Sequence, residues 1–465
     1  MIAPPKTFQL PDIRVFLLHL TILSLPFDIW AVATVAGRGI KPVWAMGAVL
    51  VVAFTINLLV GRGKLKVSMT GRWILVFNAI ALLSLVNLIN TSPSHLVDFG
   101  TEWVQLVLLT LLFLAITSLD LSEGQFRRVL QVWVGLAFVL SLYAIYQVFA
   151  RPLDWPFGYL PLMNPSMARE GMADQTIGPF VRPSSVFAEP SFFGSYLLSP
   201  LFLSGVFWLY RDRVGGFLYR NRALNWLVFG TIAVAFLFAF SMGAYAALGG
   251  ALLIALLNRR LAFKLVRYGV FAVALLAALG WTMKPVIGGN FAQIVWVRTQ
   301  AHLASLDNPT GGSGIRSPYA KTSIRARFQR AEAALSVWAD QPLTGVGLNV
   351  FGHYYPEGVA PRVHGAFLQA LVEMGMVGLF SLIAVFATAL SHMRKLIKRL
   401  SADPLKWAVL TAFYYSVWAL VFALLLAGTW VRETMWMALI MAILATHWVI
   451  GSAFETQSTS QSEAE

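Results

Sequence analysis

Apolar runs about as long as a bilayer is thick recur along this chain, and few folds can accommodate them. Crossing the hydrocarbon core takes about 20 helical residues, and within it only helices or closed barrels satisfy their own backbone. Twelve runs read as spanning helices, near 13–36, 43–61, 73–90, 103–119, 129–150, 190–210, 224–240, 241–258, 268–283, 365–391, 407–427 and 434–452. The seventh and eighth form one apolar stretch from Leu224 to Asn258. At about 1.5 Å per residue that stretch is too long for a single crossing, so it is divided at Ser241-Met242-Gly243. The first run is longer than the apolar core of a secretory signal and no cleavage site follows it, so it reads as an uncleaved span. With 58% hydrophobic residues and a mean hydropathy of +0.70, a soluble core of this size could not bury the apolar surface. The expected fold is therefore an all-α polytopic membrane protein of about 12 transmembrane helices, a single integral membrane domain over 1–454.

Loop charges orient it. If the N-terminus lies inside, the inner segments collect 21 of the 35 Lys and Arg residues, as the positive-inside rule requires. Eight more fall in the segment 284–364, which is long enough to escape that rule. The formal charge of +14 thus reflects topology, and nucleic acid is not an expected partner. Both termini are expected in the cytoplasm of a bacterial inner membrane, with 151–189 and 284–364 as periplasmic loops. The large loop lies between spans 9 and 10, where an 80-residue connector points to a folded lid or site. The tail 455–465 reads as disordered.

Three stretches break the apolar pattern on the outer side. In "FVRPSSVFAEPSFFGSYL", Pro190 suits the first turn of a span, Glu189 sits near its N-cap and Ser191 can serve its free amides. These features also describe an anion pocket, with Arg182 supplying a guanidinium fork. The alternative makes Glu189 a cap and Arg182 an interfacial anchor. In "RARFQRAEAALSVWADQPLTGVGLNVFGHYYP", Phe328, Ala331, Leu335 and Trp338 have helical spacing. Arg325, Arg327 and Arg330 crowd the first turns, where cations oppose the helix dipole. Lipid headgroups and a diphosphate are both suitable partners for them. Gly345 and Gly347 follow in a turn, where glycine permits close backbone approach or positive φ. In "RVHGAFLQALVEMGMVGL", His364 and Arg362 stand at the mouth of the tenth span. A neutral imidazole there can take a proton from a sugar hydroxyl. Glu373 lies nine residues on, on the opposite helix face, and reads as a helix–helix hydrogen-bonding residue.

The absences are informative too. Zero Cys removes disulfides, thiolate metal sites and a cysteine nucleophile. No D-x-D occurs and the outer carboxylates are scattered, so no metal site is expected. No Walker motif or G-x-G-x-x-G loop is present, so neither ATP nor another cofactor is expected.

In series, these motifs resemble the O-antigen ligase and O-antigen polymerase superfamily. The resemblance covers about 180–380. It rests on Arg182 to Ser191, then Asp340, Pro342, Leu343, Gly345 and Gly347 as "D-x-P-L-x-G-x-G", then His364, then Glu373, Gly375, Gly378 and Leu379 as "E-x-G-x-x-G-L". It implies a GT-C-related, metal-independent, inverting glycosyltransferase. The donor would be an oligosaccharide on undecaprenyl diphosphate, and the acceptor a glycan hydroxyl or lipid A-core. Membrane lipid and a chain-length regulator would be further partners. Arg182 would hold the diphosphate and His364 would activate the acceptor.

Two positions depart from the family pattern. Many ligases carry S-R-G where this chain has Ser241-Met242-Gly243, so one cation is missing; Arg325, Arg327, Arg330 and Arg362 are candidates to replace it. The family His is commonly followed by Asn, and here Gly365 follows. The acidic F-A-E-P-S form is more similar to repeat-unit polymerases, so the reading leans to polymerisation of O-antigen or exopolysaccharide over ligation. A lipid-linked oligosaccharide flippase is the rival from another class. It predicts midplane broken helices and repeat symmetry, whereas the polar residues here gather in two outer loops.

Overall fold

A computed structural model describes residues 12–35, 38–89, 91–165, 176–177, 180–257, 318–354, 363–400, 402–426 and 432–462. The helices of more than one turn are α1 (Ile13–Ser24), α2 (Pro42–Leu59), α3 (Met69–Leu83), α4 (Pro93–Thr117), α5 (Glu123–Ala150), α6 (Pro190–Leu209), α7 (Arg222–Phe238), α8 (Met242–Leu256), α9 (Pro318–Asp340), α10 (Ala366–Arg399), α11 (Pro404–Leu426) and α12 (Glu433–Ser462), with a single turn at Arg211–Val214. Two antiparallel hairpins pair β1 (Ala33–Val35) with β2 (Arg38–Ile40), and β3 (Thr176–Ile177) with β4 (Phe180–Val181). Among the described residues, eight helices are long and apolar enough to cross a membrane: α2, α3 with its 3-10 extension to Leu88, α4, α5, α6, α10, α11 and α12 up to Gly451. α1, α7 and α8 are shorter apolar helices.

Eleven of the twelve expected runs therefore coincide with helices. The ninth, 268–283, lies outside the described residues. The first run needs correction. α1 ends at Ser24 after 12 residues, about 18 Å of helix, because Pro26 lacks an N–H and disfavours helix in the residue before it. From there the chain turns through Asp28 into the β1–β2 hairpin. At the other end α12 runs to Ser462, carrying helix through most of the tail that reads as irregular in sequence. No proline interrupts that segment.

The expected break at Ser241 is present. α7 ends at Phe238, and the Ser241 hydroxyl accepts a hydrogen bond from Ala244 N at 3.3 Å to start α8. Burial separates central from peripheral helices. In α6 and α12, 78% of the spanning window is buried within the protein, against 22% in α2, so α2 lies at the periphery of the bundle. Trp133, Phe193 and Phe413 fill the centre.

Tertiary contacts sort the helix ends into two sets, as alternating crossings require. At the end that the charge pattern places inside, Lys66 pairs with Asp120, Gln131 donates to Leu218 O at 2.7 Å, and His447 meets Thr117 O at 2.7 Å. At the opposite, outer end, Lys41 pairs with Glu433 at 2.8 Å, Asn87 donates to Gly345 O at 2.9 Å, and Asn349 donates to Asp98 O at 3.1 Å.

Candidate active site

The stretch 180–190 is a buried loop wedged among the outer helix ends. Arg182 is only 4% exposed, and its Nε donates to Ala239 O at 3.0 Å, capping the C-terminus of α7. Arg151, at the end of α5, holds the loop from below. Its Nη1 donates to Arg182 O at 2.8 Å and its Nη2 to Ser184 Oγ at 3.2 Å, while its Nε reaches Gly158 O at 2.9 Å. Gln147 grips Ser185 twice, accepting from Ser185 N at 2.8 Å and donating to Ser185 O at 3.0 Å. Ser185 carries φ of 54°, a conformation that these bonds and the buried surroundings stabilise. Glu189 takes the N-cap position of α6 without a side-chain capping bond, and Ser191 donates its hydroxyl to Glu189 Oε2 at 2.8 Å. Ser191 thus serves the carboxylate rather than the free amides.

The glycine turn approaches a helix. α10 is kinked at Gly375, with φ 66° and ψ −165°, which breaks its internal ladder and frees backbone groups. The turn 342–347 satisfies them. Val346 N donates to Val372 O at 3.0 Å, Gly347 N to Glu373 O at 2.9 Å, and Met376 N to Pro342 O at 2.9 Å. Gly345 has φ 66°, and a Cβ there would lie 2.5 Å from Glu373 C. The Glu373 carboxylate accepts Asn349 N at 2.8 Å and a bond from Gln369. The "D-x-P-L-x-G-x-G" and "E-x-G-x-x-G-L" segments are thus two halves of one backbone lock.

α9 lies across the outer end. Ala334, Val337 and Trp338 pack with Phe351, Val363 and Val372, while Phe328 and Leu335 are 61% and 46% exposed. The helix therefore packs through a face offset from the stripe that spacing suggested. Two turns before Ala334, the half-buried Arg327 approaches Glu189. Burial lowers its pKa while the carboxylate pulls the other way. His364 is half-buried between Val363, which is 1% exposed, and Gly365, whose φ is 99° and whose Cβ would lie 2.7 Å from Leu425 O. That contact explains why glycine follows the His here: any side chain would strike the end of α11.

Arg182, Glu189, Ser191, Arg327, Arg330 and His364 all lie on segments toward the outer helix ends; α9 packs beside Val363, and its Arg327 feels the Glu189 charge. Arg362 and the Arg325 side chain lie outside the described residues. Gly345 and Gly347 serve the α10 lock. Sequence reasoning missed a charged group beside the site. Arg432 lies over the Phe192 ring with its Cζ 3.2 Å from the centroid, next to the Lys41–Glu433 pair. Asp28 is 6% exposed and accepts Ala188 N at 3.0 Å. The signal was available, since an Asp inside a supposed span is itself unusual.

Burial pushes the Asp28 pKa up to about 6, against the pull of Lys41 and Arg432. The folded protein therefore binds this proton more tightly than the unfolded chain. The associated stability is complete below the ordinary carboxylate range and is lost as pH rises through about 6. Asp28→Asn keeps an acceptor for Ala188 N and is expected to raise stability at pH 7.5 by up to about 3 kcal/mol, with no gain at pH 4. Thermal melts in detergent at both pH values test this. A lower melting temperature at pH 7.5 would mean that pairing with Lys41 and Arg432 outweighs desolvation.

Beneath the outer end, a small apolar cavity of about 30 Å³ opens between α3, α10, α11 and α12, lined by Phe77, Phe386, Leu424, Met435 and Trp436 among others. It presents no charged group and carries no chemistry of its own.

The helices long and apolar enough to cross a bilayer define the class as a polytopic helical membrane protein, with basic residues and a histidine toward one end of the bundle. The family model described as O-antigen ligase matches residues 227–383, from α7 through α10. This segment is about a third of the chain and holds the Ser241 break, α9, the glycine turn, His364 and the Gly375 kink. The match supports the O-antigen ligase/polymerase superfamily, whose members are membrane glycosyltransferases acting on lipid-linked glycans. Arg182 and Glu189 lie before the matched segment. No curated protein matches the chain.

Proposed function

We propose that this protein transfers glycan from undecaprenyl diphosphate to a sugar hydroxyl on the periplasmic face of a bacterial inner membrane. The favoured reaction is polymerisation of O-antigen or exopolysaccharide repeat units. The observation that carries the reading is the O-antigen ligase match over the segment that holds α9, the glycine turn and His364. The acceptor hydroxyl oxygen attacks the anomeric carbon from the face opposite the diphosphate. The bond from that carbon to the phosphate oxygen breaks with its electron pair, and the configuration inverts. His364 takes the hydroxyl proton, and Arg182, Arg325, Arg330 and Arg362 stabilise the departing lipid diphosphate. A diphosphate is already a good leaving group, so cationic stabilisation and a base suffice without a metal.

Met242 stands where many ligases carry a second cation. Arg327, which feels the Glu189 charge, and Arg432, on Phe192, are among the cations described at the same end of the bundle. Arg182→Lys keeps the charge but loses the planar fork. It is expected to lower transfer at least about tenfold, the scale of one lost charge-assisted bond. Because Arg182 also caps α7, melting temperature is measured alongside: intact activity would leave Arg182 as a structural cap only.

The decisive experiment supplies purified protein in nanodiscs with an undecaprenyl-diphosphate-linked repeat unit as sole substrate. A ladder of longer lipid-linked glycans is expected. Transfer only after addition of lipid A-core would make the protein a ligase. Failure with both acceptors, using matched glycans, would reject the transferase reading.

A further inference from the structure

The turn that follows α5, residues 151–159, takes no part in the chemistry above, yet it is built with unusual care. Trp155, Phe157 and Tyr159 are 49%, 74% and 49% exposed, and they alternate along a backbone that is held tightly. Two bulky or charged residues there, Asp154 at φ 49° and Phe157 at φ 59°, occupy the left-handed region, which non-glycine residues enter only under constraint. The constraint comes from side chains of α5. Tyr143 donates its hydroxyl to Phe157 O at 2.7 Å, Tyr146 donates to Pro156 O, and Arg151 Nε donates to Gly158 O. The Arg151 guanidinium lies 4.7 Å from the Tyr159 ring centroid and fixes that ring. The same guanidinium bonds Arg182 O and Ser184 Oγ. One buried cation therefore joins the exposed aromatics to the loop proposed to hold the diphosphate.

We infer that the 151–159 turn is a glycan-binding shelf, on which pyranose rings stack their C–H faces against Trp155 and Tyr159. The inference rests on the transferase reading for its choice of ligand. Sugar rings present an apolar face bordered by hydroxyls, and a rigid, exposed aromatic ring complements that face at low entropic cost. A bilayer can also take up Trp and Tyr at its interface, but an anchor of that kind gains nothing from strained, side-chain-braced backbone. Attachment through Arg151 to the 182–184 loop sets the shelf where a glycan extending from the diphosphate would lie. The glycan could be the donor's oligosaccharide or the acceptor chain, and the stacking chemistry is common to both.

The test uses full-length protein in nanodiscs and, as probe, the host cell's own surface polysaccharide hydrolysed to short oligosaccharides without lipid. Trp155→Leu and Tyr159→Leu retain apolar bulk while removing the ring. They are expected to weaken oligosaccharide binding at least about fivefold, the size of one aromatic contact, whereas Tyr159→Phe retains binding. In the unsubstituted protein, bound oligosaccharide is expected to shield Trp155 from oxidation, read by mass spectrometry, which needs no variant to fold. Wild-type affinity in the leucine variants, or no protection of Trp155, would overturn the shelf. So would unchanged glycan binding together with altered seating of the loop in the bilayer. Comparing lipid-linked with lipid-free oligosaccharide assigns the shelf to donor or acceptor. Binding through the shelf by a protein that forms no ladder and ligates nothing would remove the transferase reading and keep the shelf. A normal ladder from leucine variants that bind normally would remove the shelf alone.

Discussion

Gly375→Ala is expected to leave little folded protein in the membrane. At φ 66° an alanine is strained before any contact is considered. Its Cβ would also lie 2.1 Å from Leu343 O and 2.2 Å from Leu343 C. Those are backbone atoms of the turn 342–347, which cannot move aside as a flexible side chain would. Relieving the clash means separating the turn from α10 and giving up the three backbone hydrogen bonds from Val346, Gly347 and to Pro342. Backbone strain of about 1–3 kcal/mol combines with overpacking of about 1–3 kcal/mol, a large share of the stability of most domains. Controls sit in the same protein. A Cβ at Gly230 or Gly249, inside α7 and α8, would meet nothing within 4 Å. Alanine there should be neutral or stabilising by up to about 1 kcal/mol. Detergent-extracted yield and melting temperature measure all three; a Gly375→Ala protein as stable as Gly249→Ala would show that the kink does not depend on this lock.

His364→Ala is expected to abolish transfer while the fold persists. The backbone on either side of His364 is fixed by contacts that do not involve its imidazole. Val363 is buried with Ala334 and Phe351, and Gly365 is seated against Leu425 O. The side chain itself is half-buried and can be truncated without opening the core. Loss of a general base costs about 10²–10⁴ in rate, so ladder formation should fall at least about a hundredfold. Melting temperature should stay near that of the unsubstituted chain. Ladder formation at the original rate would remove His364 from the chemistry and leave its position as a consequence of packing alone. By the same geometry, Gly365→Asn, which would restore the residue common in the family, is expected to destabilise the protein rather than improve it.

Much of the architecture was legible because bilayer physics acts on sequence locally. A run of about 20 apolar residues has little alternative to a spanning helix, and eleven expected runs are helices. The division at Ser241 was legible for the same reason, since one uninterrupted helix would have overshot the bilayer. The first run misled because length and hydropathy count Pro26 and Asp28 as minor interruptions. In the structure Pro26 follows the end of the helix, and Asp28 becomes a buried acceptor for Ala188 N, a contact across 160 residues.

The sequence by itself determined the helical class, the positions of eleven helices and the motif order that resembles one superfamily. These depend on the composition of contiguous segments. Only the tertiary structure decided what each motif residue touches. Gly345 and Gly347 admit the backbone of α10, Arg182 caps α7, Arg327 approaches Glu189, and Arg432, unremarked in sequence, lies on Phe192. Such pairings join residues tens to hundreds of positions apart, and no local pattern encodes them. They exist because orphaned carbonyls, buried charges and amides at the outer helix ends must find partners within reach once the bundle has packed.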